Sequence, residues 1–149
     1  MDEEKFMGIA IEEAKKAFES GENTGIGALI VRGEEIVSQC HNNVKITEDS
    51  TNHDEMNVIR DASKKLKRRN LNDCTLFTTC EPCPMCFAAA WWARIPKIVF
   101  GASLDDLIDR GNREIKVSSE FLNNNATYKI EIIKGVLRKE CIKINSNRH

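Results

Sequence analysis

The stretch 75–100, TLFTTCEPCPMCFAAAWWARIPKIVF, constrains the fold more than any other part of the chain. Residues 75–79 are a short run rich in β-branched and aromatic residues, as expected of a strand. Three cysteines then follow at the spacing C-x2-C-x2-C (Cys80, Cys83 and Cys86), with Pro82 and Pro84 between them. Proline is accepted in the first turn of a helix, so either can open the mostly apolar segment 84–94. Residues 97–100 read as another strand. A strand, a cysteine-bearing turn, an apolar helix and a second strand thus succeed one another within 26 residues.

The remainder continues the alternation. Residues 4–20 carry Phe6, Ile9, Ala10, Ala14, Ala17 and Phe18 at helical spacing, and Gly21 suits the stop. Segments 25–31 and 35–40 predict two strands around a hairpin turn at Arg32-Gly33-Glu34. A polar loop leads to a helix over 53–67, with Met56, Ile59, Ala62 and Leu66 on one face. Beyond residue 100 the pattern predicts a short helix near 104–109, a strand at 129–133 and a final helix near 136–144. Strands alternating with helices after a hairpin indicate an α/β sandwich, a mixed sheet covered by helices on both faces. No repeat or linker interrupts the chain, so residues 1–149 are expected to form one domain.

Composition narrows the class. With 149 residues, 41% hydrophobic and 30% charged, the chain can bury a globular core. No export signal and no run of 18 apolar residues occurs, which predicts a cytoplasmic protein with no membrane partner. The formal net charge is −1, from 22 Lys and Arg against 23 Asp and Glu, which argues against nucleic acid as the main partner. The run Lys64-Lys65-Leu66-Lys67-Arg68-Arg69 is the local exception, and a solvated helix end carrying favourable cations accounts for it. Six cysteines (40, 74, 80, 83, 86 and 141) in a reducing compartment point to metal binding or buried thiols rather than disulfides.

At a helix start Cys83 and Cys86 are i and i+3, on one face, where the helix N-terminus favours thiolates. Cys80 lies on the strand side of the turn and points elsewhere. An iron–sulfur cluster on all three would want a fourth cysteine, and Ala90 stands in that place. Of the three histidines (His41, His53 and His149), His53 stands in Ser50-Thr51-Asn52-His53-Asp54-Glu55, where Ser50, Thr51 or Asn52 can cap the second helix. Two helix mouths, 53–55 and 83–86, can then face each other across one metal. A structural zinc site uses four protein ligands, whereas a catalytic one uses three and keeps an open position. His53, Cys83 and Cys86 make three, and Glu55 is placed to move protons.

His53-x-Glu55 followed by Pro82-Cys83-x-x-Cys86 resembles the zinc-dependent cytidine deaminase-like superfamily. The branch containing guanine deaminases, cytosine deaminases and tRNA adenosine deaminases is most similar, through Asp49-Ser50-Thr51-x-His53-x-Glu55, Cys80-Glu81-Pro82-Cys83-Pro84-Met85-Cys86 and Trp92-Ala93-Arg94. Gly135-Val136-Leu137 and Glu140-Cys141 match an ending common in that branch. The resemblance implies a three-layer α/β/α sandwich with a five-stranded mixed sheet, one Zn2+ per chain held by His53, Cys83 and Cys86, and a homodimer. It implies a hydrolase in which zinc-activated hydroxide attacks the amino-bearing ring carbon and ammonia leaves, with Glu55 as the proton shuttle. Asn42 matches a residue that hydrogen-bonds the base and Ile26 one that packs against the ring. Pro82 flanks the substrate, with backbone N–H groups of the 82–84 turn helping to hold developing charge.

The residue between His53 and Glu55 is usually small in this branch, and here it is Asp54. Its simplest reading is a favourable charge at a helix N-terminus. Substrate choice is expected near Asp105, Asp106, Asp109 and Glu114, with no means of selecting among them. Cys80 before Glu81-Pro82-Cys83 and the near-neutral charge point to a small-molecule enzyme acting on a free nucleobase or nucleoside, guanine first and cytosine second. A tRNA-specific adenosine deaminase acting on an anticodon loop is the alternative, with the basic residues near 64–69 and 138–143 as its rim.

Overall fold

The computed structural model describes residues 1–145; His149 lies outside them. Twelve elements succeed one another: α1 (Glu3–Glu19), β1 (Gly27–Arg32), β2 (Glu35–His41), α2 (Val44–Thr47), α3 (Asp54–Leu66), β3 (Thr75–Cys80), α4 (Pro84–Trp92), β4 (Lys97–Ala102), α5 (Leu104–Asp109), α6 (Ser119–Asn124), β5 (Glu131–Lys134) and α7 (Arg138–Ile144). The strands form one sheet in the order β2-β1-β3-β4-β5. β1 pairs antiparallel with both β2 and β3, while β3, β4 and β5 run parallel.

The sheet is buried on both faces because its strands alternate two apolar sets. Ala28, Ile30, Leu76, Ile98 and Phe100 face one cluster, with Val58 and Ala62 of α3 and Phe87 and Ala90 of α4. Leu29, Val31, Phe77 and Val99 face the other, with Phe6, Met7 and Ala10 of α1 and Cys141 of α7. These are the three layers expected from the sequence, with the mixed five-stranded sheet in the middle. Gly27 lets α1 lie directly on β1, since a β-carbon there would sit 2.1 Å from the Ala10 carbonyl oxygen.

Three local expectations are corrected. The loop after β2 contains the helix α2, whose backbone amides at Lys45 and Ile46 donate to the Glu22 carboxylate at 3.0 and 2.7 Å. The inward face of α3 is Asp54, Glu55, Val58 and Ala62, with Ile59 and Leu66 at its edge; Met56 is not in the core. Trp92, on the mostly apolar segment 84–94, is 75% exposed and so does not join the core. Among the described residues no helix is long and apolar enough to cross a membrane.

Candidate active site

Two helix mouths meet beside the carboxyl end of β3. His53 is the N-cap of α3, but its side chain does not cap. Two of the residues expected to cap are otherwise engaged: Thr51 donates from its amide and hydroxyl to Asp49 at 2.9 and 2.7 Å, and Asn52 donates to the Thr47 hydroxyl at 2.8 Å. The imidazole of His53 is therefore free to turn outward, and its Nδ1 lies 3.6 Å from Sγ of both Cys83 and Cys86. Cys83 is the N-cap of α4 and Pro84 its first residue, the position where a missing amide hydrogen costs nothing.

The three ligand atoms all lie within 4.8 Å of one another. Zinc bonds of about 2.3 Å to sulfur and 2.0 Å to nitrogen at a tetrahedral angle separate the donors by about 3.5 Å. The Nδ1 to Sγ distances therefore fit that ion. The Cys83 thiol is pulled down to about 4 by its hydrogen bond with Cys86, with burial opposing and His53 assisting. Cys86 is pushed up by the same bond and by burial. One thiolate is thus in place at the helix mouth, and the imidazole beside it is shifted up chiefly by that contact.

Glu55, in the first turn of α3, is 4% exposed. Burial, reinforced by the neighbouring Asp54 carboxylate, pushes it well above the usual carboxylate range. Raised proton affinity in a buried carboxyl suits a group that takes up a proton and hands it on. Asp54 is not the exposed helix-end charge that its position suggests. It is completely buried beside the Glu55 carboxyl, Oδ2 accepts from the Thr78 hydroxyl at 2.9 Å, and Oδ1 has no donor in hydrogen-bonding geometry among the described residues.

Asn42 is 4% exposed and braces the loop before β1: Oδ1 accepts from the Ile26 amide at 2.9 Å and Nδ2 donates to the Thr24 carbonyl at 2.8 Å. Asn57 of α3 donates to the His41 carbonyl and to Asn43 Oδ1, each at 2.9 Å, which docks this loop on the helix that carries Glu55. Ile26 is half-buried against the α1-side core. Pro82 is buried, and its carbonyl accepts from the Ser119 hydroxyl at 3.2 Å. The expected set of amide donors at 82–84 shrinks to one, because Pro82 and Pro84 have no N–H; within that turn only Cys83 can donate.

Among the four acidic residues that the sequence left undivided, Glu114 lies at the cluster. Burial raises it first, the Cys83 thiolate raises it further, and His53 offsets them. Asp106 is occupied elsewhere, capping α5 through Ser103 and pairing with Arg138. Glu81 went unnoticed in the sequence. Its carboxylate accepts from the amides of Leu104 and Ser119, both at 2.8 Å, and so fastens α5 and α6 to the cysteine turn. Its place inside Cys80-Glu81-Pro82-Cys83 was the available signal.

A family model for the cytidine and deoxycytidylate deaminase zinc-binding region matches residues 1–102. The tRNA-specific adenosine deaminase of Bacillus subtilis is 40% identical over 139 residues, 93% of this chain and 83% of that protein. The guanine deaminase of the same organism is 43% identical over 103 residues, 69% of this chain and 65% of that protein. A solved structure from a study of A-to-I editing by tRNA:A34 deaminases superposes with a TM-score of 0.79 at 29% identity, covering 94% of this chain and 98% of that one.

These matches correct the free-base reading, with guanine first and cytosine second. The likeness to tRNA-specific enzymes runs through nearly the whole chain, whereas that to the guanine deaminase covers 69% of it. Both grounds for the earlier preference fail physically. Cys80 is 2% exposed and packed in the α1-side core, so it does not meet a substrate. The net charge of −1 averages over the whole surface and conceals a local basic groove at Lys67, Arg69 and Arg94.

Proposed function

This chain belongs to the cytidine and deoxycytidylate deaminase zinc-binding family, and we propose that within it the protein converts adenosine in a transfer RNA anticodon loop to inosine. The observation that carries this reading is the 40% identity to a tRNA-specific adenosine deaminase along 93% of the chain. In this reaction water replaces the exocyclic amino group at C6 and ammonia departs.

His53, Cys83 and Cys86 would hold zinc, whose contribution is the Lewis acidity that makes water a competent nucleophile at neutral pH. Glu55 accepts the proton of the attacking water, passes one to the ring nitrogen, and delivers one to the departing amine. Its burial keeps these transfers away from bulk solvent. Asn42 has one amide hydrogen left after serving Thr24, and in this reading that hydrogen meets the edge of the base. Ile26 and Pro82 form the walls that hold the ring, and the Cys83 amide faces the developing charge.

The working unit in this reading is a homodimer, supported by the exposed apolar side chains Phe121 (59%) and Ile115 (66%), which a second copy would cover. A cytoplasmic setting supplies both transfer RNA and reduced thiols. The test is an assay of inosine formation in an anticodon stem-loop with adenosine at the wobble position, run beside ammonia release from guanine and cytosine. Inosine is expected from the RNA. Ammonia from a free base with no inosine in the RNA would overturn the proposal.

A further inference from the structure

A groove of about 480 Å3 lies at the far ends of α3 and α4, lined by Lys67, Arg68, Arg69, Asn70, Trp92 and Arg94. Arg68 is committed, donating to the Asn70 carbonyl at 2.9 Å and to Asp73 at 2.8 Å. The side chains of Lys67, Arg69 and Arg94 are exposed and have no ion-pair or hydrogen-bond partner among the described residues. Trp92 is braced edge-on by Trp91, with ring centroids 5.0 Å apart at 89°. Trp91 is itself stacked on Tyr128 at 4.6 Å and donates its indole N–H to the Tyr128 carbonyl. The groove therefore presents one fixed, solvent-facing indole among three unpaired cations, and no carboxylate lines it.

Backbone strain marks the same residues. Lys67 and Arg94 have φ of +55° and +62°, each just beyond the end of its helix. Glycine is the residue that fits such positions without strain. Both are cations instead, and both border this groove. Strained conformations of this kind concentrate at functional sites.

The location is informative as well. α3 and α4 both start at the His53–Cys83–Cys86 cluster and end here. Their lengths of 13 and 9 residues set the groove about 20 and 14 Å along the two helix axes from it. A free base or nucleoside does not span that distance, whereas an RNA stem-loop does. We propose that this groove docks the RNA substrate away from its reacting base, with Lys67, Arg69 and Arg94 on backbone phosphates and Trp92 stacked on an unpaired base. The inference rests on the tRNA reading of the active site, and cations flanking a bare indole favour a polyanion over a second copy of the chain.

The test compares wild type with the double variant Lys67→Gly/Arg94→Gly and with Trp92→Ala. For each, the affinity for an anticodon stem-loop RNA is measured by fluorescence anisotropy at several salt concentrations, together with KM and kcat on the same RNA. Glycine removes each charge and also relieves the left-handed strain, so the double variant should melt no lower than wild type. Its affinity should fall tenfold or more, and KM should rise far more than kcat changes. The slope of log affinity against log salt should shrink by about 1.4, at about 0.7 for each lost phosphate contact. Trp92→Ala should weaken binding about tenfold, as expected for one lost stacking contact, with little change in salt slope. Unchanged affinity and slope in both variants would overturn the proposal. So would a loss of binding that tracks dissociation of a dimer in sedimentation, since the groove would then be an interface between copies. Wild type that binds the stem-loop through this groove without forming inosine would leave the docking surface standing and remove the assigned reaction.

Discussion

The hydroxyl of Thr78 donates to Oδ2 of Asp54 at 2.9 Å, with both residues completely buried, and so ties β3 to the first turn of α3. The same hydroxyl also lies 3.1 Å from the Cys80 carbonyl, so it keeps a partner without Asp54. Asp54 Oδ1 has none.

A buried acceptor left without a donor costs about 1–3 kcal/mol. Asp54→Ala removes that cost and leaves Thr78 bonded to Cys80. The zinc-loaded variant should melt about 2–4 °C higher for each kcal/mol recovered. A lower melting temperature than wild type would show that the Asp54 carboxyl is satisfied in solution, by a proton shared with Glu55.

Glu55→Gln preserves the shape and burial of the side chain but cannot take up or release the proton. Zinc content by elemental analysis should match wild type, and turnover should fall by about 100-fold to 10,000-fold, the usual contribution of a general acid–base group. Turnover near the wild-type level would remove Glu55 from the proton-shuttle role.

The three cysteines of the 80–86 turn should separate by metal analysis. Cys83→Ser and Cys86→Ser should each lose most of the bound zinc, and dialysis against a chelator should abolish activity that zinc then restores. Cys80→Ser should stay fully loaded but melt lower, because a hydroxyl replaces a thiol packed among Phe77, Val99 and Cys141. Zinc loss in Cys80→Ser alone would reverse the assignment.

Asp106 and Arg138 give the fold a pH-dependent contact. The Arg138 guanidinium holds the Asp106 carboxyl at about 2, against an ordinary value of 3.8. The folded value lies below the unfolded one, so the stabilisation is complete above pH 4 and is lost as pH falls through 4 toward 2. Asp106→Asn should lower stability at neutral pH and flatten the decline in urea midpoint between pH 4 and pH 2. An equally steep decline in the variant would assign the acid sensitivity to other carboxylates.

Much of the architecture was legible in the chain because it is encoded locally. The helical spacing of Phe6, Ala10, Ala14 and Ala17 states a period and with it the buried face, and the short runs at 75–79 and 97–100 state strands of a sheet buried on both faces. The short helices α2 and α6 escaped notice because their starts are fastened by a distant residue: Glu22 serves the amides of Lys45 and Ile46, and Glu81 that of Ser119.

The sequence by itself determined that His53, Glu55, Cys83 and Cys86 stand at the first turns of two helices, since the prolines, the apolar runs and the residue spacing are all local. Only the tertiary structure decided what surrounds them. It buried Asp54 against Thr78, turned Cys80 into the core, brought Glu114 rather than Asp105, Asp106 or Asp109 to the cluster, and gathered Lys67, Arg69 and Arg94 around Trp92. Each of these depends on residues from separate elements meeting through packing of the sheet and its helices, and no local periodicity records which distant side chains will share a site.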